Sequence, residues 1–246
     1  MVMTKIIFGY VALGVAAILF IAWLRNKGHA KLGTMSRIMA IGVLFLLPYL
    51  TYTFVLTGKP MYWGNTAGLS LYWMSSPYEE ELGDWHGPSL REHPKLKEHH
   101  GEFFESIAHL GPVEKDDALK AKAIENIKAH PKKFLYNCVA NVGRTLFSHP
   151  LSYLKPSNGL FYYLVPNIFL IVFTIAFLWP TIRYHRRYPT EMLVLLFMAL
   201  LYFGETIPVA SYARFFFLIV PILLWWIGFS LDRFVRLRFN SPEPSE

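Results

Sequence analysis

Three uncharged apolar runs limit what this chain can fold into: Ile6–Leu24, Ile38–Leu56 and Leu160–Trp179, each 19 or 20 residues long. At ~1.5 Å of rise per residue, ~20 helical residues cross a ~30 Å hydrocarbon core. Two further segments, Met192–Ala213 and Phe215–Leu231, are apolar but interrupted, the first by Glu205 and Pro208, the second by Pro221. They read as a close pair of spans sharing a short turn. The balance of 54% apolar to 17% charged residues agrees, since charged residues approach ~25% of an average soluble domain. The fold class these features predict is an all-α integral membrane protein with five transmembrane helices and one α-rich extracytoplasmic domain between helices 2 and 3. Its divisions are 1–57 (two spans with a basic cytoplasmic loop), 58–159 (extracytoplasmic domain), 160–231 (three spans) and 232–246 (cytoplasmic tail). The first run reads as a retained helix, because it is longer than a signal-peptide core of ~7–15 residues and ends in AWLRNK with no small-residue cleavage site.

Basic residues set the expected orientation, because Lys and Arg in short loops are held on the cytoplasmic side. Arg25, Lys27, Lys31 and Arg37 lie between the first two spans, Arg183, Arg186 and Arg187 between the third and fourth, and Arg233, Arg236 and Arg238 after the fifth. All three clusters fall on one side, which puts the N-terminus and residues 57–159 outside and the C-terminus in the cytoplasm. The net charge of +7 is then an orientation signal with some attraction to anionic headgroups. It gives no indication of nucleic acid. The lone cysteine, Cys138, cannot form an intramolecular disulfide, so the outer domain must hold by packing. With no Asn-x-Ser/Thr sequon in the chain, this agrees with a bacterial inner membrane.

Within the outer domain, residues 58–113 are rich in Gly, Pro and aromatics and predict loops, short helices and a possible strand pair. EKDDALKAKAIENIKAH then predicts a helix with Leu119, Ile124 and Ile127 on its apolar face, acidic at its start and basic at its end. Pro131 opens the next helix, with Phe134, Cys138, Val142 and Leu146 as its apolar stripe.

The run LLPYLTYTFVLTGKPMYWGNTAGLSLYW resembles a segment of the bacterial GT-C glycosyltransferases, the aminoarabinose-transferase and protein-mannosyltransferase group. There a helix ends in a proline–aromatic pair and passes through a glycine turn into a Gly/Asn/Tyr-rich outer loop. DDALKAKAIENIKAHPKKFL, GRTLFSHP and SYARFFFLIVPILLWWIGFSLDRF are similar, in order, to later parts of the same family. The resemblance implies sugar transfer from a polyprenyl-phosphate carrier on the outer membrane face, with an acidic first outer loop activating the acceptor and basic groups holding the lipid phosphate. It implies no cofactor, only a polyprenyl-phosphate sugar as substrate. The chain departs from the family in having no Asp or Glu before Glu79, and in carrying Thr51-Tyr52-Thr53 where relatives carry Arg-Asn. It therefore looks like the C-terminal half alone: half of a split enzyme whose membrane partner supplies the catalytic half, or a degenerate relative. The competing reading is a non-catalytic membrane scaffold in envelope assembly.

Each candidate residue has two readings. Arg214, beside Tyr212, is a lipid-phosphate ligand or an interfacial anchor. Glu205 is an ion-pair partner of Arg214 or an acceptor-orienting acid. Asp84 and His86, in GDWHGP, are a general-base pair or a capped aromatic loop. Tyr62, Trp63, Tyr72 and Trp73 are a membrane-interface belt or a surface that stacks on sugar or lipid. Glu79–Glu81 reads as a solvated face or a helix start. Seven of nine histidines, including His93, His99, His100 and His109, fall in the outer domain, but their spacing matches no zinc pattern and predicts no metal.

Overall fold

Proline placement explains where five of the eleven described α-helices begin. In the computed structural model, which describes residues 6–26, 30–86, 93–156, 158–209 and 212–235, proline occupies the first turn of five helices. There its missing N–H costs nothing and its fixed φ suits the helix. The elements are α1 (Ile6–Arg25), α2 (Ala30–Leu44), α3 (Leu47–Thr57), α4 (Ala67–Met74), α5 (Pro94–Ser106), α6 (Pro112–Ala129), α7 (Pro131–Phe147), α8 (Leu160–Arg183), α9 (Thr190–Thr206), α10 (Ala213–Phe216) and α11 (Val220–Phe234). There is no strand among the described residues, so the possible strand pair in 58–113 is replaced by α4 and α5.

Two helical stretches, Ala30–Thr57 and Leu160–Arg183, are long and apolar enough to cross a membrane. The first bends at Phe45–Leu46, just ahead of Pro48, and ends at Gly58, whose left-handed φ of 67° lets its N–H reach Phe54 O at 2.8 Å. Most of their bulk faces away from the protein: Ile38, Leu44, Val55, Phe169, Ile175 and Trp179 are all exposed. The fourth apolar segment leaves the helix at Thr206, ahead of Pro208, and the fifth is split into α10 and α11 before Pro221. Each break falls where proline removes a helix donor. Lys27, Arg236, Arg238, Ser157, residues 87–92 (with Gly87 and Pro88 of the GDWHGP loop) and residues 210–211 of the fourth segment lie outside the described residues.

Two hydrophobic cores form. One joins α1, α8, α9, α10 and α11 through Val11, Val15, Phe177, Met192, Tyr202 and Trp226. Polar ties stitch it: Trp226 Nε1 donates to Thr181 Oγ1 at 2.9 Å, and the Tyr188 and Ser230 hydroxyls meet at 3.0 Å. At one end, Lys31 pairs with Glu191 at 3.3 Å and both Tyr184 and Tyr188 lie against Phe234, so the described basic clusters gather there. The second core, from Tyr72, Trp73, Leu96, Ile107, Leu119 and Ala123, holds α4, α5 and α6 at the opposite end. Leu119 takes its expected inward place, whereas Ile124 is exposed.

The helix α7 joins the two cores, packing on α4 and α6 on one side and α8 and α10 on the other. Its buried face is Asn137, Ala140, Asn141, Arg144 and Thr145, while Leu135, Tyr136 and Val139 point outward, Val139 being 71% exposed. The expected stripe Phe134, Cys138, Val142 and Leu146 is only half-buried, so the inward-facing register is corrected. The reason is that the inward residues are donors aimed at main-chain carbonyls. Lys133 Nζ reaches Glu81 O, Asn137 Nδ2 reaches Met74 O and Ser76 O, and Asn141 Nδ2 reaches Thr206 O, Ile207 O and Val209 O. Arg144 donates to Leu82 O at 3.3 Å and Pro150 O at 3.1 Å.

Where α4 meets α6, the gap admits no side chain. Gly68 N donates to Asp116 Oδ1 at 2.6 Å, so the buried carboxylate caps the start of α4, and a Cβ on Gly68 would lie 2.2 Å from Asp116 O. Gly68→Ala should therefore force α4 off α6 and cost at least ~1–3 kcal/mol. Gly42→Ala, at a position with nothing within 4 Å of the added methyl, should leave stability unchanged or raised. Thermal unfolding of both variants in detergent checks the contrast, and equal melting temperatures would refute it.

Candidate functional site

The loop between α4 and α5 carries the densest group of buried ionisable side chains. Glu81 sits in it almost wholly buried, its peptide carbonyl held by Lys133 and that of Leu82 by Arg144. Gripped on both sides, this stretch points the carboxylate at the face of α5. His99 Nδ1 donates to Glu81 Oε1 at 2.8 Å and His100 Nε2 donates to Oε2 at 2.8 Å. The Tyr153 hydroxyl donates to Oε1 at 3.1 Å and Ser76 Oγ donates to Oε2 at 2.5 Å. Four donors fill the acceptor capacity of one carboxylate. Glu81 is thus no part of a solvated face, and that reading of the Glu79–Glu81 run is corrected for this residue.

Residues i and i+1 of a helix point ~100° apart and do not normally share a ligand. His99 and His100 meet on Glu81 because the carboxylate enters between them and each ring offers a different nitrogen. Only tertiary structure creates this convergence, and spacing along the chain gives no sign of it. The one signal available was the pair of adjacent histidines downstream of an acidic run.

Further contacts orient the rings. On the other side of the His100 ring, Nδ1 and the Tyr72 hydroxyl lie 2.7 Å apart. Burial pushes the Tyr72 phenol up, reinforced by Tyr78 and Glu81, so it keeps its proton at neutral pH. Tyr78 stacks on His99 at 3.7 Å and donates to its backbone carbonyl at 3.0 Å. Burial alone would raise the Glu81 pKa. The hydrogen bond and charge attraction of His100, with the bonds from Ser76 and His99, outweigh it and bring the carboxyl down to about 2. A carboxylate–imidazole–phenol chain results, in which His99 is the partly exposed ring and Glu81 and His100 are buried.

The second predicted pair lies close by. Asp84 is buried and takes the Ser152 N–H at 3.0 Å together with the Ser152 hydroxyl, while His86 Nε2 stands 3.7 Å from its other oxygen. The fold brings Asp84 and His86 together, but the carboxylate is committed to fixing residue 152. The His86 pKa is lowered, chiefly by burial and against the pull of Asp84 and Glu81. His86 meets Trp73 edge to face at 4.9 Å.

The four aromatics divide. Tyr72 and Trp73 are core residues whose faces are covered by Phe103 and Phe104, at 5.2 and 5.7 Å. Neither an interface belt nor an open stacking surface describes them, because the second core forms around them. Trp63 is also buried, wedged against Tyr10 and Tyr49, and Tyr62 is half-buried with Lys59 near its ring. Arg214 is exposed and lies over the rings of Tyr212 and Phe215, at 5.7 and 5.6 Å. Among the described residues Arg214 has no ion pair, so the expected pairing with half-buried Glu205 is not formed. Fold and site together define an all-helical protein with two helices long and apolar enough to cross a membrane and, at one end of its bundle, a small helical domain built around a buried carboxylate–histidine cluster. No protein-family description, curated protein or solved structure matches the chain.

The low Glu81 pKa fixes the sign of a pH effect. A carboxyl at about 2 in the folded chain, against an ordinary 4.5, adds stability that is complete above the unfolded value and is lost as pH falls through the folded one. Melting temperature should therefore drop as pH falls from about 5 toward 2, through loss of ~3 kcal/mol at full protonation. Glu81→Gln should be less stable at neutral pH and flatter across that window. Parallel pH profiles for the two proteins would show that Glu81 is not responsible.

Proposed function

We propose that the chain is a five-span bacterial inner-membrane protein with residues 58–159 outside, working as a module for a polyprenyl-phosphate-linked sugar donor while a partner protein supplies the catalytic acid. The single observation that carries this reading is Arg214: an exposed cation among aromatic rings, on the short helix α10 that packs against α7. The outward face of α7 carries Leu135, Tyr136 and Val139. A guanidinium at the edge of an apolar surface, with its charge unspent, suits a phosphate whose prenyl tail runs along that surface. The inverted pattern of α7, polar inward and apolar outward, is what an interfacial helix presents to lipid. The basic ends of α1, α8 and α11 lie opposite the outer domain, as the positive-inside rule favours. The resemblance to the C-terminal half of GT-C glycosyltransferases supplies the substrate class.

A specific observation favours the second reading, a non-catalytic scaffold. Among the described residues of 58–159 the three buried carboxylates are all engaged: Glu81 by histidines, Asp84 by Ser152, and Asp116 by Gly68 N and Lys120. None is left as a general base. Either way, the chain alone should turn over no polyprenyl-phosphate sugar.

Binding separates the two readings. Arg214→Ala should weaken affinity for a polyprenyl phosphate in detergent by ~10-fold or more, the scale of a lost charged hydrogen bond, while Glu205→Gln leaves it intact. Undiminished binding in Arg214→Ala sinks the lipid-phosphate role and leaves the scaffold. Placement is tested separately. A fluorophore on Val139→Cys, in a Cys138→Ser background, should be quenched by lipids brominated in their acyl chains, and one on Lys128→Cys should not. Reporter fusions at His100 and at the C-terminus should read outside and inside, and finding both on one side removes the five-span arrangement.

A further inference from the structure

We propose that Glu81, His99 and His100 bind one divalent transition-metal ion of the zinc class in the outer domain. The inference rests on the cluster's geometry and is independent of the sugar-transfer reading. The three donor atoms, Glu81 carboxylate oxygen, His99 Nδ1 and His100 Nε2, lie within 4.8 Å of one another. Two imidazoles and one carboxylate are a three-ligand set that leaves a fourth tetrahedral position open, and imidazole nitrogen selects against the oxygen-loving Mg²⁺ and Ca²⁺. Zinc bonds of ~2.0–2.1 Å place neighbouring ligand atoms ~3.4 Å apart. His99 Nδ1 and His100 Nε2 each lie 2.8 Å from a different oxygen of the carboxylate, so admitting an ion opens those contacts by about half an ångström and draws the two nitrogens toward one centre.

The surroundings hold the ligand rings in place, as outer partners do in metal sites. For His100 to offer Nε2 to an ion, its proton must sit on Nδ1, where the Tyr72 oxygen lies 2.7 Å away to accept it. His99 is stacked between fixed groups, against Tyr78 at 3.7 Å, and must carry its proton on Nε2. Ser76 and Tyr153 hold the carboxylate from either oxygen. Binding exchanges the two histidine–carboxylate hydrogen bonds for three metal bonds. His99 is the route in, since its side chain keeps 21% of its surface exposed whereas Glu81 and His100 keep 2% and 3%. The Tyr153 hydroxyl, already on Glu81 Oε1, stands beside the coordination sphere and can hold a water in the open position.

The test uses the untagged full chain in detergent, stripped with chelator and titrated with Zn²⁺ and separately with Co²⁺. One equivalent should bind, with Co²⁺ giving the intense visible absorption of a four-coordinate N/O site. Zinc X-ray absorption on the unaltered protein should show two imidazoles with oxygen ligands. His99→Ala removes the exposed ligand and should weaken Zn²⁺ affinity ~100-fold, while a cooperative melting curve in chelator, lowered by loss of the Glu81 hydrogen bond, shows that the variant is folded. Tyr72→Phe should weaken it ~10-fold through ring positioning. His109→Ala should bind as the parent does. Absence of a bound equivalent in folded protein overturns the proposal. So does a metal environment without two imidazoles, or an ion that His99→Ala and Glu81→Gln retain with parental affinity.

Discussion

The structure depends on one row of side chains. Lys133, Asn137, Asn141 and Arg144 recur every three or four residues along α7 and so share one face. Every one of them donates to main-chain carbonyls. The acceptors come from separate parts of the chain: the end of α4, the loop at 79–82, residue 150 and the end of α9. A helix leaves its last four carbonyls without partners, and burying them unpaired costs ~1–3 kcal/mol each. Asn137 and Asn141 settle that debt for α4 and α9 in a single helix, which fixes the outer core to the bundle. Arg144 is wholly buried, and desolvation lowers its pKa against the opposing pull of Asp84. Carbonyl dipoles on three sides, with Asn141 Oδ1 at 3.0 Å, make that burial tolerable.

The carboxylate–histidine cluster inherits its geometry from the same row. Lys133 grips the carbonyl of Glu81 and Arg144 that of the next residue, so the peptide between them cannot swing. Asn137, one turn beyond Lys133, holds the backbone of Ser76, whose hydroxyl closes on Glu81. On the far side, Asp84 binds residue 152 and thereby sets Tyr153, the fourth donor to the carboxylate. Placement of one side-chain carboxylate between two rings thus follows from backbone contacts several residues away. A substitution at Asn137 would reach the cluster without touching either histidine.

How far the sequence could be read follows from which rule governed each element. Apolar run length located α1, α8 and the long bent stretch of α2 and α3, because nothing competes with hydrophobicity over twenty uncharged residues. The proline at 131 marked a helix start through a local steric effect that tertiary structure does not overturn, and Pro112, which the sequence reading did not use, opens α6 in the same way. The face of α7 was misread because the hydrophobic-inside rule takes no account of buried main-chain carbonyls that need donors. Along KKFLYNCVANVGR both choices of stripe are periodic, and only the positions of the carbonyls at residues 74–82 and 206–209 decide between them. Tyr72 and Trp73 follow two apolar stretches and read as interfacial, yet a second core small enough to need both rings has absorbed them. The adjacent histidines were the one hint of the cluster, and only with Glu81 placed between them do they share a partner.

The two charged features at this end of the molecule differ in how their charge is spent. Around Glu81 every lone pair of the carboxylate is met, and the group is held too deep for a substrate to reach without moving α5. At Arg214 the charge meets, among the described residues, the ring faces of Tyr212 and Phe215, whose quadrupoles return ~0.5–1 kcal/mol at an exposed site, far less than a phosphate would. An enzyme of the proposed class needs both a cation for the lipid phosphate and a free base for the acceptor. On the proposed reading Arg214 supplies the first. The second is not supplied by the buried carboxylates Glu81, Asp84 and Asp116, which serve as clamps or caps, nor by exposed Asp117 and Glu80, which are tied to lysines. On the proposed reading, the base comes from a second protein, for which the apolar face of α7 at Leu135, Tyr136 and Val139 lies uncovered by the described residues.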